Sequence, residues 1–294
     1  MLSGALLLQP SKLNESIRVF FKKRVSRVGI AFVFWTLIYL LWAFYVSQTP
    51  VTYGNVVSGL FYSFSSGAYY HFWFLYALIG LYLLTPIVRT LILADSQKVI
   101  RYFIALWGIG AAIIPFIELA SGYPFNDTVF VMAGTLGYFV LGIYLQRKWA
   151  RSLILSGVFI LGAIFTVIAT WFLAFQFSSL NQNYFFYEYT SATVILTSAA
   201  LFLFFSRFRA FWPETDNRFV RGLVDAISKN TLPIYLFHVI ILETLQRGYL
   251  GFKLSFTTMN PIIGVPVIAV VTLFISLGLI LLMKKLPVLK TLIG

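Results

Sequence analysis

Long runs without a charged residue, separated by short basic stretches, recur over the whole length of this chain. A helix needs about 20 apolar residues to cross a hydrocarbon layer of about 30 Å. Eight predominantly apolar stretches, three of them holding a charged residue, meet that length to within a turn: Val28–Ser47, Phe72–Leu93, Tyr102–Ser121, Thr128–Gln146, Ser152–Phe177, Tyr189–Ser206, Ile227–Gln246 and Ile262–Met283. The pattern predicts an all-α fold, a polytopic membrane helix bundle of about eight transmembrane helices. The seventh run is the least apolar, holding Asn230, Pro233, His238 and Glu243. Residues 1–9 are apolar but too short to span. Between Pro10 and Arg27 the chain turns polar and basic, while Ile17, Phe20, Phe21, Val25 and Val28 share one helical face. That stretch reads as a helix lying at the membrane surface.

Composition agrees with the pattern. Of the 294 residues 60% are hydrophobic and 11% charged, against about 25% charged in a soluble domain. No hydrophilic stretch is long enough for a second domain, so one membrane domain over 1–294 is expected. The formal charge of +13 would suggest nucleic acid in a soluble protein. Here the cations serve topology instead. Twenty of the 22 Lys and Arg residues fall in 1–27, 89–101, 147–151, 207–229 and 284–290, which share one face if all eight runs cross; only Arg247 and Lys253 fall on the other. The positive-inside rule then puts both termini in the cytoplasm of a multi-pass protein. With no cysteine there is no disulfide or thiolate chemistry, and two histidines and nine acidic residues in no ligand spacing give no metal site.

Polar groups inside a membrane are costly and mark partners or function. On the topology above, His71, Glu118, His238 and Glu243 all lie in the outer half, which suggests a cavity open to the outside. His71 opens the run YYHFWFLYALIGLYLLTPIVR from Tyr69 to Arg89, among Tyr70, Trp73 and Tyr76. An aromatic belt accounts for the rings but not the imidazole, which could serve as general base toward a hydroxyl. His238 and Glu243, five residues apart, do not share a helical face. The cluster Lys22, Lys23, Arg24 and Arg27 reads either as a topogenic, anionic-lipid patch or as a clamp for phosphate.

Three stretches together resemble the integral-membrane acyltransferase 3 family, whose members acylate surface sugars and related acceptors. The central run is similar to its HxWFLYxLxxLYLLxPxxR segment. NTLPIYLFHVIIL from Asn230 is similar to its late SxxIYLxHxxxL helix. MLSGALLLQP followed by FFKKRVSRVGIAFVFW resembles FFxxSGxLLL, a polar gap and then FxxKRxxRxxxPxxxW. The resemblance implies a ten-helix bundle moving an acyl group, most simply acetyl, from cytoplasmic acyl-CoA to a hydroxyl of a cell-surface glycan or lipid-linked sugar at the plasma membrane. Acyl-CoA is then a co-substrate, and no resident cofactor is implied. Arg24 and Arg27, with Lys23 beside them, match the basic pair held to grip the donor's phosphates. His71 and His238 match the family's histidines. The resemblance implies an acceptor site shaped by His71, Tyr70 and Trp73, to which the outer layer adds Tyr76, Glu118, His238 and Glu243; His71 is the one catalytic candidate. The family's Arg/Lys-x10-His on a first transmembrane helix has no counterpart before Met1. The chain is therefore expected to lack that helix and most of the second, with Met1 an internal methionine. Two other readings stay open: an exporter or flippase of polysaccharide or lipid-linked sugar, and an inactive truncated relic.

Overall fold

The apolar runs fold as helices because a backbone in lipid has no water to bond and must satisfy every N–H and C=O internally. The computed structural model of the chain describes residues 1–94, 97–121, 134–146, 152–176, 185–208, 217–255 and 257–294, and among these there is no strand. In chain order the helices are α1 (Leu2–Leu7), α2 (Ile17–Arg24), α3 (Ile30–Ser47), α4 (Tyr53–Tyr62), α5 (Trp73–Leu93), α6 (Gln97–Gly108), α7 (Ile114–Ser121), α8 (Gly134–Gln146), α9 (Ser152–Gln176), α10 (Ala192–Phe208), α11 (Arg218–Lys229), α12 (Thr231–Arg247), α13 (Pro261–Met283) and α14 (Pro287–Leu292).

Among the described residues, five continuous stretches are long and apolar enough to cross a membrane: Ile17–Ser47, Tyr70–Leu93, Gln97–Ser121, Ile154–Gln176 and Pro261–Met283. The first differs from expectation. A single wide turn over Val25–Gly29 joins α2 to α3 without a break, so the basic stretch is the start of the first rod and not a separate surface helix. A similar turn over Ile109–Ile113 joins α6 to α7. The three remaining predicted spans appear as shorter helices. α8 has 13 residues, and residues 128–133 of that run lie outside the described residues, as does the basic segment 147–151. α10 and α12 have 17 residues each, about 26 Å at 1.5 Å per residue. The seventh run starts late because Asn230 interrupts it: its Nδ2 donates to the Ala226 carbonyl at 2.6 Å, closing α11 before α12 begins.

The chain forms two compact units, Met1–Ile17 with Ala77–Pro213, and Arg18–Tyr76 with Glu214–Gly294. In the first, α1 lies backbone to backbone on α8. A Cβ on Gly4 would sit 1.8 Å from the Phe139 carbonyl oxygen, and one on Gly142 would sit 2.1 Å from that of Met1. Where lipid removes the hydrophobic drive, such close approach supplies the dispersion contact that holds helices together. The same unit buries Arg89, the last residue of the central run, to 4% exposure. Its Nε and Nη2 donate to the Leu7 carbonyl at 3.2 and 3.0 Å, and Nη2 meets Glu15 at 3.3 Å. The guanidinium thus caps the end of α1 and satisfies a carbonyl the helix leaves open.

In the second unit the buried seam of α3 is Ala31, Trp35, Thr36, Tyr39 and Leu40, and that of α12 is Pro233, Ile234, Leu236, Val239, Ile241 and Leu245. Polar tips of the buried rings end on backbone. Tyr39 Oη donates to the Leu236 carbonyl at 2.8 Å, and Trp35 Nε1 reaches that of Ile293 at 3.4 Å. Pro233 sits in the first turn of α12, where a missing N–H costs nothing. α13 packs along α12.

Candidate functional site

The site is built where the loop before α5 meets α3 and α12, all within the second unit. Gly67 adopts φ +102°, a left-handed conformation that favours glycine, and Tyr69 is extended. A short tight turn over Tyr70–Phe72 follows, held by Phe72 N–H to the Tyr69 carbonyl at 3.0 Å. This geometry sends neighbouring side chains opposite ways: Tyr70 and Trp73 are exposed, while His71 and Phe72 are buried.

His71, 5% exposed, sits in a box of rings. Its centroid lies 5.0 Å from Tyr39, 5.0 Å from Phe72, 5.6 Å from Tyr235 and 5.5 Å from His238. Neither ring nitrogen has a hydrogen-bond partner among the described residues. The Leu236 carbonyl faces the ring without closing a bond of good geometry, and already accepts the Tyr39 hydroxyl. Tyr235 donates its hydroxyl to the His71 carbonyl at 2.6 Å, which ties the loop to α12.

His238 is oriented differently. Its Nδ1 lies 2.6 Å from the Tyr235 carbonyl. Two acceptors at that distance would repel, so Nδ1 carries the proton and Nε2 keeps its lone pair. The two imidazoles meet edge to face with centroids 5.5 Å apart, one with its tautomer set by the backbone and the other with both nitrogens buried and unbonded among the described residues. A hydroxyl that parted this contact would find an acceptor at His238 Nε2 and a second donor or acceptor at His71. Such a pair can hold an alcohol and take its proton.

Glu243, one and a half turns beyond His238, braces the same loop from its other side. Its carboxylate accepts Trp42 Nε1–H at 2.8 Å and a short hydrogen bond from the Tyr69 hydroxyl, and Arg247 Nε lies 4.0 Å away. Burial first, and then the Glu243 carboxylate as hydrogen-bond acceptor and as charge, push the Tyr69 phenol up; Arg247 opposes this. The five-residue spacing noted in the sequence is thus used: His238 meets His71 while Glu243 meets Tyr69.

Other predicted residues take separate places. Tyr76 donates to the Ser63 and Phe64 carbonyls at 3.2 and 3.0 Å, so it secures the turn before the loop. Trp73 points outward, 58% exposed. Glu118 lies on α7 in the other unit. Arg24 is half-buried with its guanidinium over the Phe20 ring, 5.3 Å from the centroid, and Lys23 and Arg27 are exposed. Lys284, just past α13, is held below the usual lysine range by burial and then by the charges of Arg27 and Lys290. Cations from both ends of this unit's chain therefore converge on one region. Sequence reading missed Tyr39, Trp42, Tyr69 and Tyr235 as site residues. A signal existed for two of them: Trp35, Tyr39 and Trp42 stand at i, i+4 and i+7, one face of α3.

No curated protein and no solved structure matches this chain. The family model of the acyltransferase domain known as acyltransferase 3 matches residues 1–281. With nearly the whole length covered and five helices of membrane-crossing length among the described residues, the chain belongs to the acyltransferase 3 family and is a membrane acyltransferase by descent.

Proposed function

We propose that this protein is an O-acyltransferase of the plasma membrane that moves an acyl group, most simply acetyl, from acyl-CoA to a hydroxyl of a cell-surface glycan or lipid-linked sugar. The observation that carries the reading is the imidazole pair: a buried His71 with neither nitrogen hydrogen-bonded among the described residues, edge to face with a His238 whose Nδ1 is pinned to a carbonyl. In the proposed topology eight helices cross, α8, α10 and α12 among them. Both termini lie in the cytoplasm and the histidine layer lies toward the outside. The excess of Lys and Arg in alternate connections supports this orientation.

The donor's phosphates dock on Arg24 and Arg27, with Lys23, Lys284 and Lys290 adding positive field. Guanidinium forks match phosphate oxygens in geometry and in charge. The depressed Lys284, lowered by burial and then by the charges of Arg27 and Lys290, supports the clamp, because cations gathered in one region favour an anion among them. From Arg27 to Tyr39, which packs on His71, is about 18 Å along α3 at 1.5 Å per residue. The donor's extended arm covers that span, so the thioester arrives near the imidazoles while the nucleotide stays at the clamp.

At the pair, His238 Nε2 or His71 takes the proton of the acceptor hydroxyl as its oxygen attacks the thioester carbon. The tetrahedral intermediate collapses with loss of the coenzyme thiolate, and the imidazolium returns its proton to that sulfur. General-base help of this kind is worth about 10² to 10⁴ in rate. Tyr70, at the rim, and Trp73 supply apolar surface for the sugar face, and Glu243 acts through Tyr69 by fixing the loop.

The test uses purified protein in detergent with acetyl-labelled acetyl-CoA and a sugar-bearing acceptor. Label transfer is expected to fall by at least about a hundredfold in His71→Ala and in His238→Ala. A double variant that keeps full transfer would remove the imidazoles from the reaction. Unaltered acyl-CoA binding in Arg24→Ala/Arg27→Ala would remove the clamp.

A further inference from the structure

The connection from α3 to α5 is unlike an aqueous loop. From Val28 to Val88 the chain has no Asp, Glu, Lys or Arg, the link between the two helices included. Within that link α4 starts on Thr52, whose hydroxyl accepts the Asn55 N–H at 3.3 Å, and is prolonged by a wide turn over Ser63–Gly67. It runs back along α3 in the opposite direction. A Cβ on Gly59 would sit 2.7 Å from Leu40 Cδ1 and 3.5 Å from Phe44 Cζ. Five residues on, the Phe64 ring packs on that of Phe32 at 5.9 Å. As α4 advances, its contacts on α3 therefore retreat from the end of that helix toward its start.

Two further details show what surrounds α4. Its outward stripe is Tyr53, Val57 and Phe61, one residue every four, all exposed. α3 carries an exposed stripe of the same kind in Val33, Leu37 and Leu41, and α3 belongs to a stretch long and apolar enough to cross a membrane. The second detail is how the polar side chains near that stripe are satisfied. Ser58 Oγ donates to the Gly54 carbonyl at 2.8 Å, Ser65 Oγ to that of Tyr62 at 3.2 Å, and Asn55 Nδ2 to that of Pro50 at 2.9 Å. Lipid offers no hydrogen-bond partner, so a segment within it must close its polar groups on itself. A helix facing water ordinarily carries charge on its outer face instead.

We infer that α4 is the first half of a discontinuous membrane segment. The chain re-enters the leaflet in which α3 ends, Tyr53, Val57 and Phe61 meet the acyl chains of that leaflet, and the helix breaks over Gly67–Phe72 before α5 completes the crossing. The break is the loop that carries His71. Tyr39, whose ring lies 5.0 Å from His71, stands about 12 Å before the end of α3 at Ser47, so the histidine is sunk below the membrane surface. Irregular backbone at such a depth is tolerated where protein encloses it, and here the rings of Tyr39, Phe72 and Tyr235 do so. Bilayer hydrocarbon is the occupant of the α4 stripe because the stripe lies alongside that of α3 and the whole stretch lacks charge. The inference concerns placement in the membrane and does not rest on the acyl-transfer reading.

The chain has no cysteine, so a single-cysteine variant of the full chain takes one nitroxide. Tyr53→Cys, Val57→Cys and Phe61→Cys, each at an exposed position, are labelled in phosphatidylcholine nanodiscs. The reading is relaxation of the nitroxide by oxygen, which concentrates in hydrocarbon, against relaxation by a water-soluble nickel chelate. Oxygen is expected to gain on nickel in the order Tyr53, Val57, Phe61, each step about 6 Å deeper for four residues at 1.5 Å. Equal depth at the three positions marks a helix lying flat on the surface and overturns the inference. Nickel access matching that at Val51→Cys, in the exposed link before α4, marks an aqueous loop and overturns it. Loss of access to both reagents, with or without dipolar broadening between copies, marks a face covered by protein and overturns it too. If the nitroxide disturbs packing, the same cysteines are read with a small membrane-impermeant maleimide. A thiol in hydrocarbon stays protonated, so Phe61→Cys should react at least about tenfold more slowly than Val51→Cys; equal rates would count against the inference.

Discussion

Replacing Glu243 tests whether the loop that carries His71 is held by one carboxylate. The side chain is 16% exposed and accepts from Trp42 on α3 and Tyr69 in the loop. Interhelical hydrogen bonds in membrane proteins average about 0.6 kcal/mol in double-mutant cycles, and a charged acceptor about doubles such a bond. Each contact is then worth roughly 1.2 kcal/mol. Arg247 is too distant and too exposed to add more than about 0.5 kcal/mol. Glu243→Gln can keep both bonds, with its amide oxygen toward Trp42 and its NH2 toward Tyr69, whose hydroxyl can turn to accept. It loses only the charge, at a cost of about 1 kcal/mol. Glu243→Ala loses both bonds and strands the half-buried indole N–H, for about 3 kcal/mol. The assay is unfolding in mixed micelles by titrated SDS, run as a cycle with Trp42→Phe. A Trp42–Glu243 coupling near 1 kcal/mol is expected. A coupling under about 0.3 kcal/mol, the limit at which distant sites simply add, would refute the brace, as would Glu243→Gln costing as much as Glu243→Ala.

The remaining predictions need less working. The raised Tyr69 phenol keeps its proton in the folded protein to higher pH than in the unfolded chain, whose phenols titrate near 10. Above about pH 10 the native state binds more protons than the unfolded one, so stability falls as pH rises; Tyr69→Phe should flatten that fall in melts between about pH 9.5 and 11. Gly4→Ala forces a methyl against the Phe139 backbone, which cannot rotate away, and should cost at least about 2 kcal/mol. Gly80→Ala meets nothing within 4 Å and should gain up to about 1 kcal/mol. Equal effects in the two would show that α1 is not seated on α8. Arg27→Ala, at an exposed position, should raise KM for acyl-CoA about tenfold, the worth of one charge-assisted contact, with the melting temperature little changed. A KM unmoved in both Arg27→Ala and Arg24→Ala would place the donor elsewhere.

The helical, membrane-length character of this chain was legible from the spacing of its charges, because lipid admits few other structures and the requirement is written residue by residue. The family likeness was legible for the same reason: its motifs are local strings. Helix lengths were less so. Asn230 shortened the seventh run through a side-chain hydrogen bond that no hydropathy count registers, and the basic arm proved continuous with the first rod because nothing between Ile17 and Ile30 breaks a helix. His71 and His238 stood out alone as costly groups, and the sequence by itself determined that each needed a partner or a role. Only the tertiary structure decided that they meet edge to face, that Tyr235 and Glu243 brace the loop between them, and that Glu118 belongs to another unit. Those facts depend on how α3, α5 and α12 are rotated about their axes. Contacts among residues far apart in the chain set that rotation, and no periodicity within one helix specifies it.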